Sequence, residues 1–134
     1  MKIFFDGSCG PTNPGGKACF GFVLFEGQNE VYRGRGLECQ GPSATNNVAE
    51  YAGLKRALIY LQTTGYKGPL QIVGDSNLVI SQVNGEWKCK KPHLQTYLKE
   101  VHTLLDEFES WDAWWIPREE NYIADELSKV TPFD

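Results

Sequence analysis

The sequence predicts one α/β domain, a mixed β-sheet with helices packed against it in the order βββαβααβα. Three observations carry that prediction. Residues 2–39 hold three strand-like runs joined by short turns, the pattern of an antiparallel meander. Beyond residue 45 the apolar period becomes helical, and helical and strand-like runs then alternate. The 134 residues, 41% hydrophobic and 22% charged, suit a single domain, 1–134, with its own core.

The first run, KIFFDGSC at 2–9, reads as a buried strand ending near a glycine, and TNPGG at 12–16 is a turn cluster. KACFGFVLFE at 17–26 is aromatic and β-branched, hence a second strand, and after the turn GQN the alternating EVYRGRGLEC at 30–39 gives a third. From Asn46 to about Thr63, Val48, Tyr51, Leu54, Leu58 and Leu61 mark a helix with one buried stripe. Thr45, Asn46 and Asn47 are all suited to its N-cap, and Gly65 and Gly68-Pro69 end it. LQIVGD at 70–75 is a short strand, and SNLVISQVNG at 76–85 a short helix capped by Ser76 and stopped by Gly85. Leu94, Tyr97, Leu98, Val101, Leu104, Leu105 and Phe108 give residues 93–108 a clear amphipathic period. WDAWWI at 111–116 is the last strand and NYIADELSKV at 121–130 the last helix. A meander followed by β-α-β connections implies a mixed sheet.

Composition narrows the function classes. No apolar run is long enough to span a bilayer, so no membrane partner is expected. MKIFFDGSC lacks the apolar stretch of a signal peptide, and a cytoplasmic location is the expectation. Cys9, Cys19, Cys39 and Cys89 form no CxxC pair, and with only His93 and His102 a Cys/His metal site is not expected; buried free thiols are. The net charge of −4 opposes a broadly basic nucleic-acid surface, although Lys88, Lys90 and Lys91, and Arg33 and Arg35, cluster locally.

Four acids stand out on this frame. Asp6 lies inside an apolar strand, where a carboxylate is costly unless it is paired or binds a metal. Asp75 ends the fourth strand, and Glu50 and Asp125 fall in the first turn or so of two helices. Strand ends and helix starts are where ligands gather in open α/β sheets, so one site could share all four. Glu50 and Asp125 could equally complement helix dipoles, and Asp75 could be a turn residue. Clustered carboxylates need a cation, and oxygen-only ligation suits Mg²⁺, with Mn²⁺ as a substitute.

DGSCGPTNPGG, TNNVAEYAGLKRAL, GDSNLVISQVNGEW and IPREENYIADELS occur in the order and approximate spacing of type 1 ribonuclease H. The chain resembles that family from Asp6 to Leu127, and most of all its short subgroup lacking the basic protrusion, with a last motif PREEN…AD. The resemblance implies the ribonuclease H-like fold, a five-stranded mixed sheet flanked by helices. It implies hydrolysis of the RNA strand of an RNA–DNA hybrid by a monomer with two Mg²⁺ ions, leaving 5′-phosphate and 3′-hydroxyl ends. Asp6 would bridge the ions, Glu50 and Asp75 would complete the site near the leaving oxygen, and Asp125 would hold the ion that activates water. The PREEN loop would deliver Asp125, and the preceding tryptophans would belong to the packed strand.

For substrate contact the resemblance points to Gly7, Ser8, Asn46 and Asn47, and the two asparagine amides would read the ribose 2′-hydroxyl. Trp87, Lys88, Lys90 and Lys91 would supply a small positive surface. A solvated lysine run and a plain helix start are the bland readings of these residues. Many family members carry a histidine in the last loop; PREENYIA has none, and Glu119, Glu120 or a metal-bound water are the alternatives. A metal-dependent nuclease acting on double-stranded RNA, and a non-catalytic nucleic-acid-binding module on the same fold, are the competing functions.

Overall fold

The structure, a computed structural model, describes residues 1–130. Strands β1 (Lys2–Gly10), β2 (Lys17–Glu26) and β3 (Asn29–Gln40) form the expected antiparallel meander. Strands β4 (Leu70–Gly74) and β5 (Trp111–Trp115) continue the sheet on the other side of β1, parallel to it and to each other. The five strands lie in the order β3-β2-β1-β4-β5, so the mixed-sheet prediction holds. The helices are α1 (Asn46–Thr64), α2 (Asn77–Val83), α3 (Pro92–Leu105) and α4 (Tyr122–Ser128), the last preceded by a 3₁₀ turn over Arg118–Asn121.

Period-2 alternation gives the sheet two different faces. Ile3, Phe5, Phe22 and Leu24 point into the main core with Leu54, Leu58, Val79 and Leu105 from α1, α2 and α3. Phe4, Val23 and Phe25 point the other way and meet Tyr122, Ile123 and Ala124 of α4. Helices therefore cover both faces, with α4 by itself on the second.

Several expectations change in detail. Helix α1 is buried nearly all round over its first half rather than along one stripe, because Ala49, Ala52, Gly53 and Ala57 let it sit close to its neighbours. A pattern of large apolar residues does not register such small ones. Thr45 is the N-cap, its hydroxyl accepting from the Val48 N–H at 3.1 Å, so Asn46 and Asn47 are free of that task. Helix α3 ends at Leu105, and Phe108 is buried beyond it. Residues 118–121 form a tighter turn before α4 begins. Strand β5 is a sheet edge rather than a packed strand; Trp114 and Trp115 are 39% and 50% exposed. Of the four free cysteines only Cys19 is fully buried.

Candidate active site

The sheet brings the acids together at one end. Parallel pairing sets Phe5 beside Gly74, so the residues that follow them, Asp6 and Asp75, emerge next to each other. Asp75 sits just before Ser76, which caps α2 by accepting from the Val79 N–H at 3.2 Å. Glu50 is in the second turn of α1, and the helix can reach β1 because Gly7 has no side chain. A Cβ at Gly7 would lie 2.2 Å from the backbone of Ala49 and Glu50. Helix α4 docks in the same manner on β2, where a Cβ at Gly21 would lie 2.6 Å from Leu127 Cβ and 2.8 Å from the Ala124 carbonyl. Two glycines thus set the positions of two acids, Glu50 and Asp125.

Carboxylate oxygens of Asp6, Glu50 and Asp75 lie within 4.8 Å of one another. Asp125 lines the same cleft, but its Oδ1 is engaged by Arg118 Nη2 at 3.2 Å. Asp6 is 4% exposed and Glu50 7%. Burial pushes the Asp6 carboxyl up to about 7; nearby Asp75 and Asp125 add to the rise, while Glu50 and the Gly7 N–H oppose it. Burial and the neighbouring Asp6 hold Glu50 well above the usual carboxylate range. Asp75 is raised by burial, helped by Asp125 and opposed by Asn121 and Arg118. Glu50 Oε2 and Asp75 Oδ2 are buried without any hydrogen-bond donor. Buried carboxylate oxygens lacking donors, within a shared 4.8 Å, are the ligand set that a hard divalent cation takes.

The expected substrate residues fall into two groups. Gly7, Ser8 and Asn46 line the cleft with the acids. The Ser8 hydroxyl donates to the Ser128 carbonyl, which ties β1 to α4. Asn46 is held by Asn13: the Asn13 Nδ2 donates to Asn46 Oδ1 at 3.0 Å and Asn13 Oδ1 accepts from the Asn46 N–H at 3.3 Å. Asn47 is half-buried beside it. Trp87, Lys88, Lys90 and Lys91 are exposed between α2 and α3, outside the cleft lining.

Three further residues belong to the site and are not foreseen from the sequence. Arg118 is the loop residue that faces the acids; Glu119 and Glu120 are exposed, and Glu120 lines a separate apolar hollow with Phe4 and Phe25. Asn121 is 1% exposed and donates through Nδ2 to the Phe5 carbonyl at 2.8 Å, directly before Asp6. Trp115 lines the cleft and donates through Nε1 to the Asp75 carbonyl at 3.1 Å. Arg118 and Asn121 lie inside the PREEN motif, where attention to the acids alone passes over them.

Residues 4–131 match the family model described as reverse transcriptase-like. Ribonuclease HI of Halobacterium salinarum is 35% identical over 128 residues, 96% of this chain and 62% of that protein. The solved structure of that organism's RNase H1 superposes with a TM-score of 0.85 over 94% of this chain and 92% of the other, at 35% identity. The chain belongs to the type 1 ribonuclease H family. A second structure, LC11-RNase H1 in complex with RNA/DNA hybrid, gives a TM-score of 0.82 at 32% identity, over 94% of this chain and 91% of that one. The bifunctional protein Rv2228c of Mycobacterium tuberculosis is 31% identical over 128 residues. The match takes in 96% of the present chain but spans only 35% of that relative's length.

Proposed function

We propose that this domain is an endoribonuclease hydrolysing the RNA strand of RNA–DNA hybrids with Mg²⁺, or Mn²⁺ in its place. The observation that carries the reading is the convergence of Asp6, Glu50 and Asp75 within 4.8 Å, with two buried oxygens left without donors. A purely binding module would have no reason to gather buried like charges, since they repel one another and destabilise the fold. Membership of the ribonuclease H family supplies the reaction class.

Asp6, Glu50, Asp75 and Asp125 would hold the ions. When bound, such ions would supply activation of water and stabilisation of the leaving 3′-oxygen, the chemistry that gives a 5′-phosphate. The chain's own contribution is placement. Gly7 brings Glu50 to Asp6, the Asn121 amide fixes the β1 backbone before Asp6, and Arg118 holds Asp125 at the rim. Asn46, braced by Asn13, presents an amide that can donate to and accept from a ribose 2′-hydroxyl. Lys88, Lys90 and Lys91 would meet phosphates. No helix among the described residues is long and apolar enough to cross a membrane.

The test is cleavage of matched RNA–DNA hybrid, double-stranded RNA and double-stranded DNA in Mg²⁺ and in EDTA. Metal-dependent cleavage of the hybrid alone is expected. Equal cleavage of duplex RNA would widen the substrate class, and binding without cleavage would leave only the module reading.

A further inference from the structure

We infer that Trp115 is a positioning and specificity residue of this cleft. Its indole N–H holds the peptide that carries Asp75, and its exposed ring is a stacking surface for a nucleotide of the strand that enters. The second half of this inference rests on the hybrid-cleavage reading; the first half does not.

The positioning role follows from where the sheet stops. The pairing of β4 with β5 ends at Gly74 opposite Trp115, and the Ile116 N–H donates to the Gly74 carbonyl at 2.9 Å. Asp75 is the next residue and lies beyond the paired ladder. Its carbonyl is held instead by Trp115 Nε1 at 3.1 Å. Parallel register puts Phe5, Gly74 and Trp115 in one row across three strands, directly behind Asp6 and Asp75. A change at the end of that row is therefore transmitted to the Asp75 backbone by one hydrogen bond rather than through the core.

The stacking role follows from exposure. The indole is 50% exposed although its N–H is committed, and it lines the cleft that contains Asp6, Glu50 and Asp75. The other tryptophans have different surroundings. Trp111 is half-buried with its ring 6.4 Å from that of His102, while Trp87 and Trp114 lie outside the cleft lining. The strand order places Asn46, near β1 and β2, on one side of the acids and Trp115, on β5, on the other. A nucleic-acid strand laid across the acids would then meet an amide at one end and an aromatic face at the other. The bases of a hybrid are paired and stacked on one another, so the face that the ring meets is the C–H face of a sugar, and such a platform adds affinity with little sequence preference.

Trp115→Phe keeps a ring and removes the N–H; Trp115→Ala removes both. Three measurements separate the roles: Mn²⁺ affinity of the nucleic-acid-free protein by calorimetry, kcat and KM on hybrid, and hydroxyl-radical protection of the sugars of a bound hybrid in Ca²⁺. Both variants are expected to bind Mn²⁺ about three- to tenfold more weakly and to lose kcat by a similar factor, as for loss of one hydrogen bond. Only Trp115→Ala is expected to raise KM, about five- to tenfold, and to abolish a position-specific protection of a sugar that wild type and Trp115→Phe share. Wild-type Mn²⁺ affinity in Trp115→Phe would overturn the positioning role. Wild-type KM and sugar protection in Trp115→Ala would overturn stacking. Losses in both variants that merely follow a lowered Tm would overturn both roles. A wild type that fails to cleave hybrid would sink the hybrid reading and stacking with it, and Mn²⁺ affinity would still decide the first half.

Discussion

Asp6 and Glu50 are 4% and 7% exposed, whereas Lys88, Lys90 and Lys91 stand in solvent. Both groups carry like charges close together in the chain or in space, yet the fold treats them differently. The acids are fixed by β1, by α1 packed onto Gly7 and by the buried Asn121 amide. The lysine segment is fixed through its backbone and through Cys89, which packs against the core. The Glu86 and Trp87 N–H groups donate to the Ser81 carbonyl, and the Gln82 and Gln95 side chains donate to the carbonyls of Lys88 and Cys89. Gln82 in turn accepts from the buried Tyr51 hydroxyl, one residue after Glu50. The cleft therefore disfavours the charged forms of its acids, chiefly by burial and then by mutual repulsion, which a bound cation would offset, whereas water screens the lysines. If the acids hold metal and the lysines meet phosphates, as proposed, stability is given up only where the charges must be fixed in place.

The largest effect is expected at the acids. Asp6→Asn and Asp75→Asn should each lower hybrid cleavage by more than about a thousandfold, because a metal ligand in a preorganised site is lost. Tm in EDTA at about pH 8 should hold or rise, since each change removes a buried charge from a repulsive cluster. A marked fall in Tm without metal would mean that the acids are structural partners, and the contrast with the lysines would collapse.

A smaller effect is expected at Asn121. Replacing it with Ala leaves the Phe5 carbonyl without its donor at a buried position, which costs about 1–3 kcal/mol. It also removes the amide that opposes the rise of the Asp75 carboxyl. Denaturant unfolding gives the first quantity, and the Mg²⁺ concentration for half-maximal rate should increase as well. An unchanged Mg²⁺ requirement in a destabilised variant would restrict Asn121 to packing.

The pH dependence sharpens the same contrast. Asp6 titrates near 3.8 when unfolded and about 7 when folded, so between those values the native state holds the extra proton. Stability of the metal-free protein from this group is complete below pH 3.8 and is lost as pH rises to about 7. Tm in EDTA should fall across that window, the fall should shrink in Asp6→Asn, and Mg²⁺ should raise Tm most at the alkaline end. Thermal unfolding from about pH 4 to about pH 8, with and without Mg²⁺, reads all three.

Much of the fold and of the site is legible in the sequence, and the reasons for success and failure are physical. Asp6 is readable because an acid inside FFDGS contradicts its apolar strand. The strand and helix order is readable because periods of two and 3.6 leave direct traces. The all-round burial of α1 is not, since Ala49, Ala52 and Gly53 have little side chain to carry a period. Trp115 misleads because tryptophan in a strand ordinarily packs, and edge position is a property of topology rather than of local sequence. Arg118 and Asn121 escape notice because their roles depend on Asp125 and Phe5; Phe5 is far from Asn121 in the chain. Thr45, Asn46 and Asn47 are equivalent as caps by residue type, and only the hydrogen bond to Val48 separates them.

The smallest expected effect is at the lysines, and it tests the other side of the comparison. Lys90→Ala with Lys91→Ala should weaken binding to hybrid and to all-DNA duplex alike. It should reduce the slope of log K against log[salt] by up to about 0.9 for each phosphate that is no longer neutralised. The lysine side chains stand in solvent, and Lys91 makes no side-chain cap at the start of α3. Stability should therefore stay within about 0.5 kcal/mol of wild type. Asn47→Ala, next to the cleft-lining Asn46, is the control. Because Thr45 holds the cap, Asn47→Ala should leave stability nearly unchanged while lowering hybrid cleavage and leaving the salt slope intact. Binding measured over a salt titration in Ca²⁺, for both duplexes and both variants, decides the matter. If the double lysine variant kept the wild-type slope, the phosphates would have to be met by other cations. If Asn47→Ala weakened hybrid and DNA equally, the amide would not be reading the 2′-hydroxyl, and the division between a cleft that discriminates and a segment that only attracts would fail.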